Sequence, residues 1–241
     1  MRRIAVANPK GGVGKTSLAV NVAGMLARRG RRVLLIDLDP QGAASGHLLE
    51  ELPGRTMADV IAGTASLPDV IVPVGIERLE LAPGGLELIA WDGRASPADV
   101  AAALATIPRK YDLAIVDTPP AWRGLALGAC LWASELIVPV EPSMLALTGL
   151  APFLELIAGL PGRRRPVGIV PSRVRRTRQA AMVIEALRRY HRESLLPAIR
   201  SAVAIEAAAA MRRPIHLHAP RHAVTGDFAA LARAIERKGT R

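Results

Sequence analysis

Short apolar runs alternate along the chain with longer stretches in which apolar residues recur every three or four positions. The runs cover residues 4–7, 33–36, 79–81, 113–116, 136–140 and 167–170. They are largely continuous rather than alternating, the pattern of strands buried on both faces of a parallel sheet. The periodic stretches 16–29, 96–107, 123–133, 143–160, 178–192 and 227–238 predict helices. Gly30 suits a C-terminal stop for the first, and Ser96-Pro97 suits the start of the second. Pro-Gly pairs at 53–54 and 161–162 mark loops. Residues 207–210 read as part of a short helix, and no internal repeat is visible. Strands alternating with helices predict a doubly wound α/β fold: a mostly parallel sheet with helices on both faces, read as one domain over 1–241.

Composition narrows the picture. Half of the 241 residues are apolar and only 3% are aromatic, so the core must be aliphatic and disorder is excluded as the main state. The one cysteine, Cys130, lies in an apolar run, which excludes a disulfide scaffold and suits a small buried hydrophobe. The longest apolar stretch, 125–140, is interrupted by Ser134 and Glu135 and is shorter than the ~20 residues a membrane span requires. Met1-Arg2-Arg3 leads into only four apolar residues before polar Asn8, too few for a signal peptide. A cytoplasmic location is expected.

The net charge of +11 is unevenly spread. Residues 1–120 hold 13 basic and 13 acidic side chains, whereas residues 121–241 hold 19 and 8. Such an excess attracts a polyanion: DNA, RNA or an acidic membrane surface. Arginine outnumbers lysine 28 to 4, as a coding bias would produce, but a bias alone would not leave the first half neutral.

The first run ends at Asn8-Pro9 and is followed by Lys10-Gly11-Gly12-Val13-Gly14-Lys15-Thr16 and then a helical pattern. Strand, glycine-rich loop and helix in that order form the context of a phosphate-binding loop. The glycines let backbone N–H groups face a phosphate, and the helix N-terminus adds partial positive charge. Lys15 suits the β- and γ-phosphates and Thr16 suits Mg²⁺. Where the usual pattern places its first glycine stands Pro9, and a second lysine, Lys10, follows it. Two further runs end in acids, Asp37-Leu38-Asp39-Pro40-Gln41-Gly42 and Asp117-Thr118-Pro119-Pro120. Carboxylates at the C-terminal ends of parallel strands face the ligand crevice. One can hold a metal while another orients a water.

Residues 10–16, 37–42 and 117–120 together resemble the deviant Walker A ATPases of the ParA/MinD group, and 33–42 resembles the ParA (Soj-like) members most. The resemblance implies ATP or ADP with Mg²⁺ as cofactor, held by Lys10, Gly11, Gly12, Val13, Gly14, Lys15, Thr16 and Ser17. Lys10 matches the lysine that reaches a partner's nucleotide in an ATP-sandwich dimer, and Asp39 matches the acid that positions the hydrolytic water. Lys10, Lys15 and Asp39 would be catalytic; Thr16, Asp37 and Asp117 would surround the metal. Ser172 and Arg173 resemble the strand end that recognises adenine, although the family often has Asn or Thr in the place of Ser172.

The same resemblance gives the charge a purpose, because ParA-like dimers bind nucleoid DNA without sequence preference. Arg175, Arg176 and Arg178 cluster before and at the start of a helix, and Arg176-Thr177 resembles a family DNA contact. A second such arginine falls at Ala204, a departure for which Arg200, Arg212 or Arg213 could compensate. A ParB-like activator or cargo adaptor, a cargo such as a plasmid, chromosome origin or carboxysome, and nucleoid association follow as expectations. The loop at residue 10 leaves no room for an N-terminal helix-turn-helix domain. Only 239–241 follow the last helical pattern, which argues against a terminal amphipathic helix and stable membrane association. A MinD-like membrane-surface ATPase is the alternative. A small-molecule ligase or kinase fits less well, since such relatives lack the lysine at position 10. One cysteine is too few for an intersubunit iron–sulfur cluster, and the two tyrosines, Tyr111 and Tyr190, form no terminal cluster.

Overall fold

The computed structural model describes residues 1–161 and 167–238, with the side chain of Lys238 excepted. The loop reading at Gly162 and the residues after 238 lie outside them. Seven strands form one sheet: β1 (Arg2–Val6), β2 (Val33–Asp37), β3 (Val72–Ile76), β4 (Leu79–Ala82), β5 (Leu113–Asp117), β6 (Glu135–Val140) and β7 (Val167–Pro171). Their order is β3-β4-β2-β5-β1-β6-β7. Every neighbouring pair is parallel except β3–β4.

Twelve α-helices are α1 (Lys15–Arg28), α2 (Ala43–Gly46), α3 (Met57–Ala62), α4 (Leu67–Val70), α5 (Ile89–Asp92), α6 (Pro97–Ala105), α7 (Gly124–Trp132), α8 (Met144–Ala158), α9 (Arg178–Tyr190), α10 (Val203–Ala210), α11 (Ile215–His218) and α12 (Ala223–Lys238), counted among the described residues. Alternate strand residues face opposite ways and build two cores. Ala5, Leu34, Ile36, Ala114 and Val116 pack with α3, α4 and α6–α9. Ile4, Val6, Val33, Leu35 and Ile115 pack with α1, α2 and α10–α12. Because both faces are covered, the central strands are apolar throughout, which is why their runs are continuous in sequence.

All six runs are strands, and the six periodic stretches are helices with ends shifted by a few residues. Ser96 caps α6 by accepting from Asp99 N at 3.1 Å, and Gly30 adopts φ +89° just beyond α1. Strand β3 lies outside the sequence expectation. It reads Val-Pro-Val-Gly-Ile, half-exposed and without an apolar run, and it is tolerated because it is an antiparallel edge where proline need not donate. The short helices α2 to α5 escape detection because one turn carries no period. The last helix starts at Ala223 rather than 227. Helices α6 and α7 approach closely enough that a Cβ at Gly128 would lie 2.4 Å from Val100 Cβ, so glycine is the residue that fits there.

The parallel strands point their C-terminal ends toward one crest. In the β2–β5 register Asp37 stands directly beside Asp117, and in the β1–β5 register Val6 stands on its other side. The loop leaving β1 therefore arches over the same crest.

Candidate active site

The arch over the crest runs from Ala7 to Gly14 and is fastened at several points. Asn8 Nδ2 donates to the Pro139 carbonyl at the end of β6 (2.8 Å), and Asn8 Oδ1 accepts from Lys10 N (2.8 Å). Gly12 and Gly14 adopt φ +74° and +89°, a region closed to most side chains, so their spacing is what the turn demands. Val13 between them is buried as an apolar plug. Leu18 N reaches the Gly14 carbonyl at 2.9 Å and starts α1, leaving the helix's first N–H groups pointing at the crest.

Lys15 is buried, with Nζ donating to the Lys10 carbonyl (3.3 Å). Burial lowers its pKa, while the charges of Asp117 and Asp39 pull it back up. Lys15 thus spans the space between the arch and the acids. The Lys10 side chain is exposed, beside a groove lined by Pro9, Val13, Leu145, Leu150 and Phe153.

The three acids differ in their surroundings. Asp37 is fully buried and well partnered: Oδ2 accepts from Ser45 N (2.8 Å) and Ser45 Oγ (2.7 Å), and Oδ1 accepts from Asp39 N (3.1 Å). Even so, burial pushes its pKa up to about 6. Asp117 is equally buried, and neither carboxylate oxygen has a hydrogen-bond partner. Burial, then the neighbouring Asp37 charge, raises its pKa well above the usual carboxylate range. The Thr16 hydroxyl and Lys15 ammonium favour its charged form, although Thr16 does not reach hydrogen-bond geometry. Asp39 is nearly buried, with Oδ1 accepting from Gln41 N (2.9 Å).

A buried carboxylate with two unpartnered oxygens is costly unless a cation joins it. Among the described residues no three His, Cys, Asp or Glu side chains group into a metal cage. One or two carboxylates and a hydroxyl, completed by substrate oxygens, are the donor set that suits Mg²⁺. The residues present therefore fit a Mg²⁺–phosphate group.

A second cleft opens beside the arch. Gly14, Ser17 and Leu18 form one wall, while Ser172, Arg173, the segment 199–202 and Phe228 contribute the others. The structure brings Ser172 and Arg173, the residues that resemble an adenine-recognising strand end, against the phosphate-binding loop. The Ser172 hydroxyl, however, already donates to the Val13 carbonyl (2.5 Å), and Arg173 Nη1 donates to the Gly12 carbonyl (3.3 Å).

The basic candidates separate into two groups. Arg200 lines the cleft and closes its fork on Asp227, with Nε–Oδ2 at 2.6 Å and Nη2–Oδ1 at 2.8 Å. Arg175, Arg176, Arg178, Arg212 and Arg213 are exposed and, among the described residues, form no ion pair. Thr177 caps α9 by accepting from Ala180 N (3.1 Å), which places Arg178 in the first turn.

Several residues of the site carry no motif. Ser45 holds Asp37 and accepts from Gly84 N (3.0 Å); a Cβ at Gly84 would meet the Asp37 carbonyl oxygen at 2.5 Å. Asn21, buried in α1, donates to Ser17 O (2.7 Å) and accepts from Ile215 N (2.6 Å). A polar residue inside an apolar helix was the available signal for Asn21. Ser45 and Gly84 are brought to Asp37 only by the tertiary fold.

Residues 1–166 match the family model described as "AAA domain". The chromosome-partitioning ATPase Soj of Thermus thermophilus is 38% identical over 195 residues, 79% of this chain and 77% of that protein. The cell division protein PomZ of Myxococcus xanthus is 32% identical, covering 95% of this chain and 76% of PomZ. Among solved structures, apo McdA of Cyanothece has the same fold (TM-score 0.87, 21% identity, 98% and 99% of the two chains). MinD of Pyrococcus horikoshii, solved with Mg-ADP, superposes with a TM-score of 0.82 at 25% identity, over 99% and 97% of the chains. No helix among the described residues is long and apolar enough to cross a membrane.

Proposed function

The chain belongs to the AAA-domain family of ParA/MinD-type partition and positioning ATPases, with ATP and Mg²⁺ as cofactor, and from that premise we propose that it is a nucleotide-switched DNA-binding ATPase built as one domain. In this reading it dimerises on ATP, coats nucleoid DNA in the cytoplasm without sequence preference, and hydrolyses ATP slowly until a partner protein stimulates it. A cargo such as a plasmid, chromosome origin or organelle is thereby moved or placed. The observation that carries the reading is the set of exposed arginines that form no ion pair among the described residues, Arg175, Arg176, Arg178, Arg212 and Arg213, on a chain that also buries Asp117 with both carboxylate oxygens unpartnered.

In this reading each residue of the site takes a role. The N–H groups of the arch and of the first turn of α1 face the phosphates, and Lys15 places its charge between them and Asp117. Thr16, Asp37 and Asp117 would hold Mg²⁺, which when bound neutralises charge on the phosphate oxygens. Asp39 accepts a proton or orients a water from a position already fixed by its bond from Gln41 N. Lys10, exposed at the edge of the arch, reaches out toward the nucleotide of a second copy. Exposed Leu86, Ile89, Met144 and Leu145 supply apolar surface for such a pairing. The cleft beside Ser17 and Phe228 receives the base. Arg200, neutralised by Asp227, belongs with that cleft rather than with the DNA face.

Analytical ultracentrifugation with ATP, ADP and no nucleotide tests the switch, using Lys10→Ala beside the wild type. A dimer that appears with ATP and is lost in Lys10→Ala supports it; a monomer under all conditions contradicts it. Retention on anionic vesicles instead of DNA would favour the membrane-surface alternative.

A further inference from the structure

Two consecutive residues after β7 hold two consecutive carbonyls of the phosphate arch. Ser172 Oγ donates to Val13 O at 2.5 Å in a buried setting, and Arg173 Nη1 donates to Gly12 O at 3.3 Å. In a trans peptide the C=O of one residue and the N–H of the following residue point opposite ways, so a carbonyl held from outside turns that N–H inward, and these bonds set which way the arch presents its donors. Arg173 is also one of only three non-glycine residues with positive φ among those described, at 52°. An L-residue stays in that region only when its surroundings enforce it.

The surroundings are visible on both sides. Ile199 N donates to Pro171 O (2.8 Å), Val174 N to Ile199 O (3.0 Å) and Ser201 N to Val174 O (2.9 Å), so the backbone around Arg173 is stitched to the segment that walls the cleft. Thr177 N donates to Arg175 O (2.9 Å), and Thr177 then caps α9. Only Val174, Arg175 and Arg176 separate the residues that hold the arch from Thr177, the cap of α9. There is little slack in that connection.

We infer that Ser172 and Arg173 are positioning residues of the phosphate arch and the link through which the arch sets the placement of Arg175, Arg176 and Arg178. This goes beyond base recognition, and it rests on the DNA-binding reading above for its output. When phosphate enters the arch and draws on its N–H groups, the Gly12 and Val13 peptides settle in one orientation. Ser172 and Arg173 follow those carbonyls, and the basic segment follows Arg173 through a backbone held at both ends. The strained φ makes the link two-sided, since loss of the Gly12 contact removes one of the constraints that keep Arg173 in its left-handed conformation.

The test uses Arg173→Gly, which removes the guanidinium and relieves the φ constraint at an exposed position, with Arg173→Lys as the conservative variant. Ser172→Ala and Ser172→Thr make a second pair. Three readouts are taken: ATP affinity, kcat at saturating ATP, and the ratio of DNA retention with ATP to that with ADP. Arg173→Gly is expected to raise the KM for ATP about ten-fold, to lower kcat by a smaller factor, and at saturating ATP to lower the DNA ratio at least five-fold. Arg173→Lys and Ser172→Thr are expected to recover most of both. Wild-type KM and an unchanged DNA ratio in Arg173→Gly would overturn the link. A wild type that retains DNA equally with ATP and ADP would overturn the DNA-binding reading and the link with it, and that outcome is recognisable without any variant.

Discussion

The acidic crest and the arginine face place charge under opposite conditions. At the crest, Asp37 and Asp117 are fully buried and adjacent in register, and Asp39 stands close by. Burying like charges together is unfavourable, and the arrangement suits a site that a cation and phosphates would complete. Beyond the arch, Arg175, Arg176 and Arg178 follow β7 and Arg212 and Arg213 follow α10; all five are exposed and form no ion pair among the described residues. Exposed charge costs little and demands little geometry. In the proposed reading one region works as a unit in which each group is indispensable, and the other by a sum in which each group is replaceable. The size of a substitution effect should therefore distinguish them.

The largest effect is expected at Lys15. Lys15→Ala leaves the acids without their internal counter-charge and the phosphates without their lysine. ATP affinity measured by calorimetry should fall at least a hundred-fold, and a fall of only a few-fold would place Lys15 in the additive class instead. Asp39→Ala should retain ATP and accumulate the ATP-bound dimer while hydrolysis drops by two or more orders of magnitude; normal turnover would remove Asp39 from the chemistry.

The next effect is on stability and has a defined sign. Asp37 has a pKa of 3.8 when exposed and about 6 when folded. Between those values the folded chain binds more protons than the unfolded one. Stability of the nucleotide-free protein contributed by Asp37 is therefore present at low pH and lost as pH rises from about 4 to 6, by up to about 3 kcal/mol. Urea unfolding across that range should show the wild type losing this amount relative to Asp37→Asn, and Mg²⁺ with nucleotide should restore it. Parallel pH profiles for the two proteins would mean that the crest is not strained by its own charge.

The smallest effects belong to the arginine face. Arg176→Glu should weaken DNA binding several-fold and flatten its salt dependence by about one phosphate contact, with ATP affinity unchanged. Arg200→Ala should change DNA binding less than Arg176→Glu, because its guanidinium is already matched by Asp227 at 2.6 Å. Equal losses for both would erase the distinction between paired and unpaired arginines.

The two regions also differed in how far they could be read from sequence. The crest was legible because its parts are local: β1, the arch and α1 are contiguous, and Asp37, Asp39 and Asp117 terminate apolar runs. The parts that brace it were not. Ser45 meets Asp37 only after α2 folds back, and Gly84 arrives from the far end of β4. The cleft joins Ser17, Ser172, Arg200 and Phe228, which no spacing rule connects. Strand β3 is not legible in the sequence because Pro73 and Gly75 erase its apolar signature. For the basic residues, composition shows the excess of charge but not that Arg200 is paired with Asp227 while Arg175, Arg176, Arg178, Arg212 and Arg213 form no ion pair among the described residues.

The central claim is that nucleotide at the buried site decides whether the arginine face grips a polyanion. Its most direct measurement is the dependence of DNA affinity on salt concentration, taken in ATP and in ADP with the same non-specific duplex. In the proposed reading ATP pairs two copies and brings two sets of arginines to one duplex, so the slope of log affinity against log salt should steepen roughly two-fold with ATP, and affinity at fixed salt should rise at least ten-fold. The same slope and the same affinity in the two nucleotides would contradict the account.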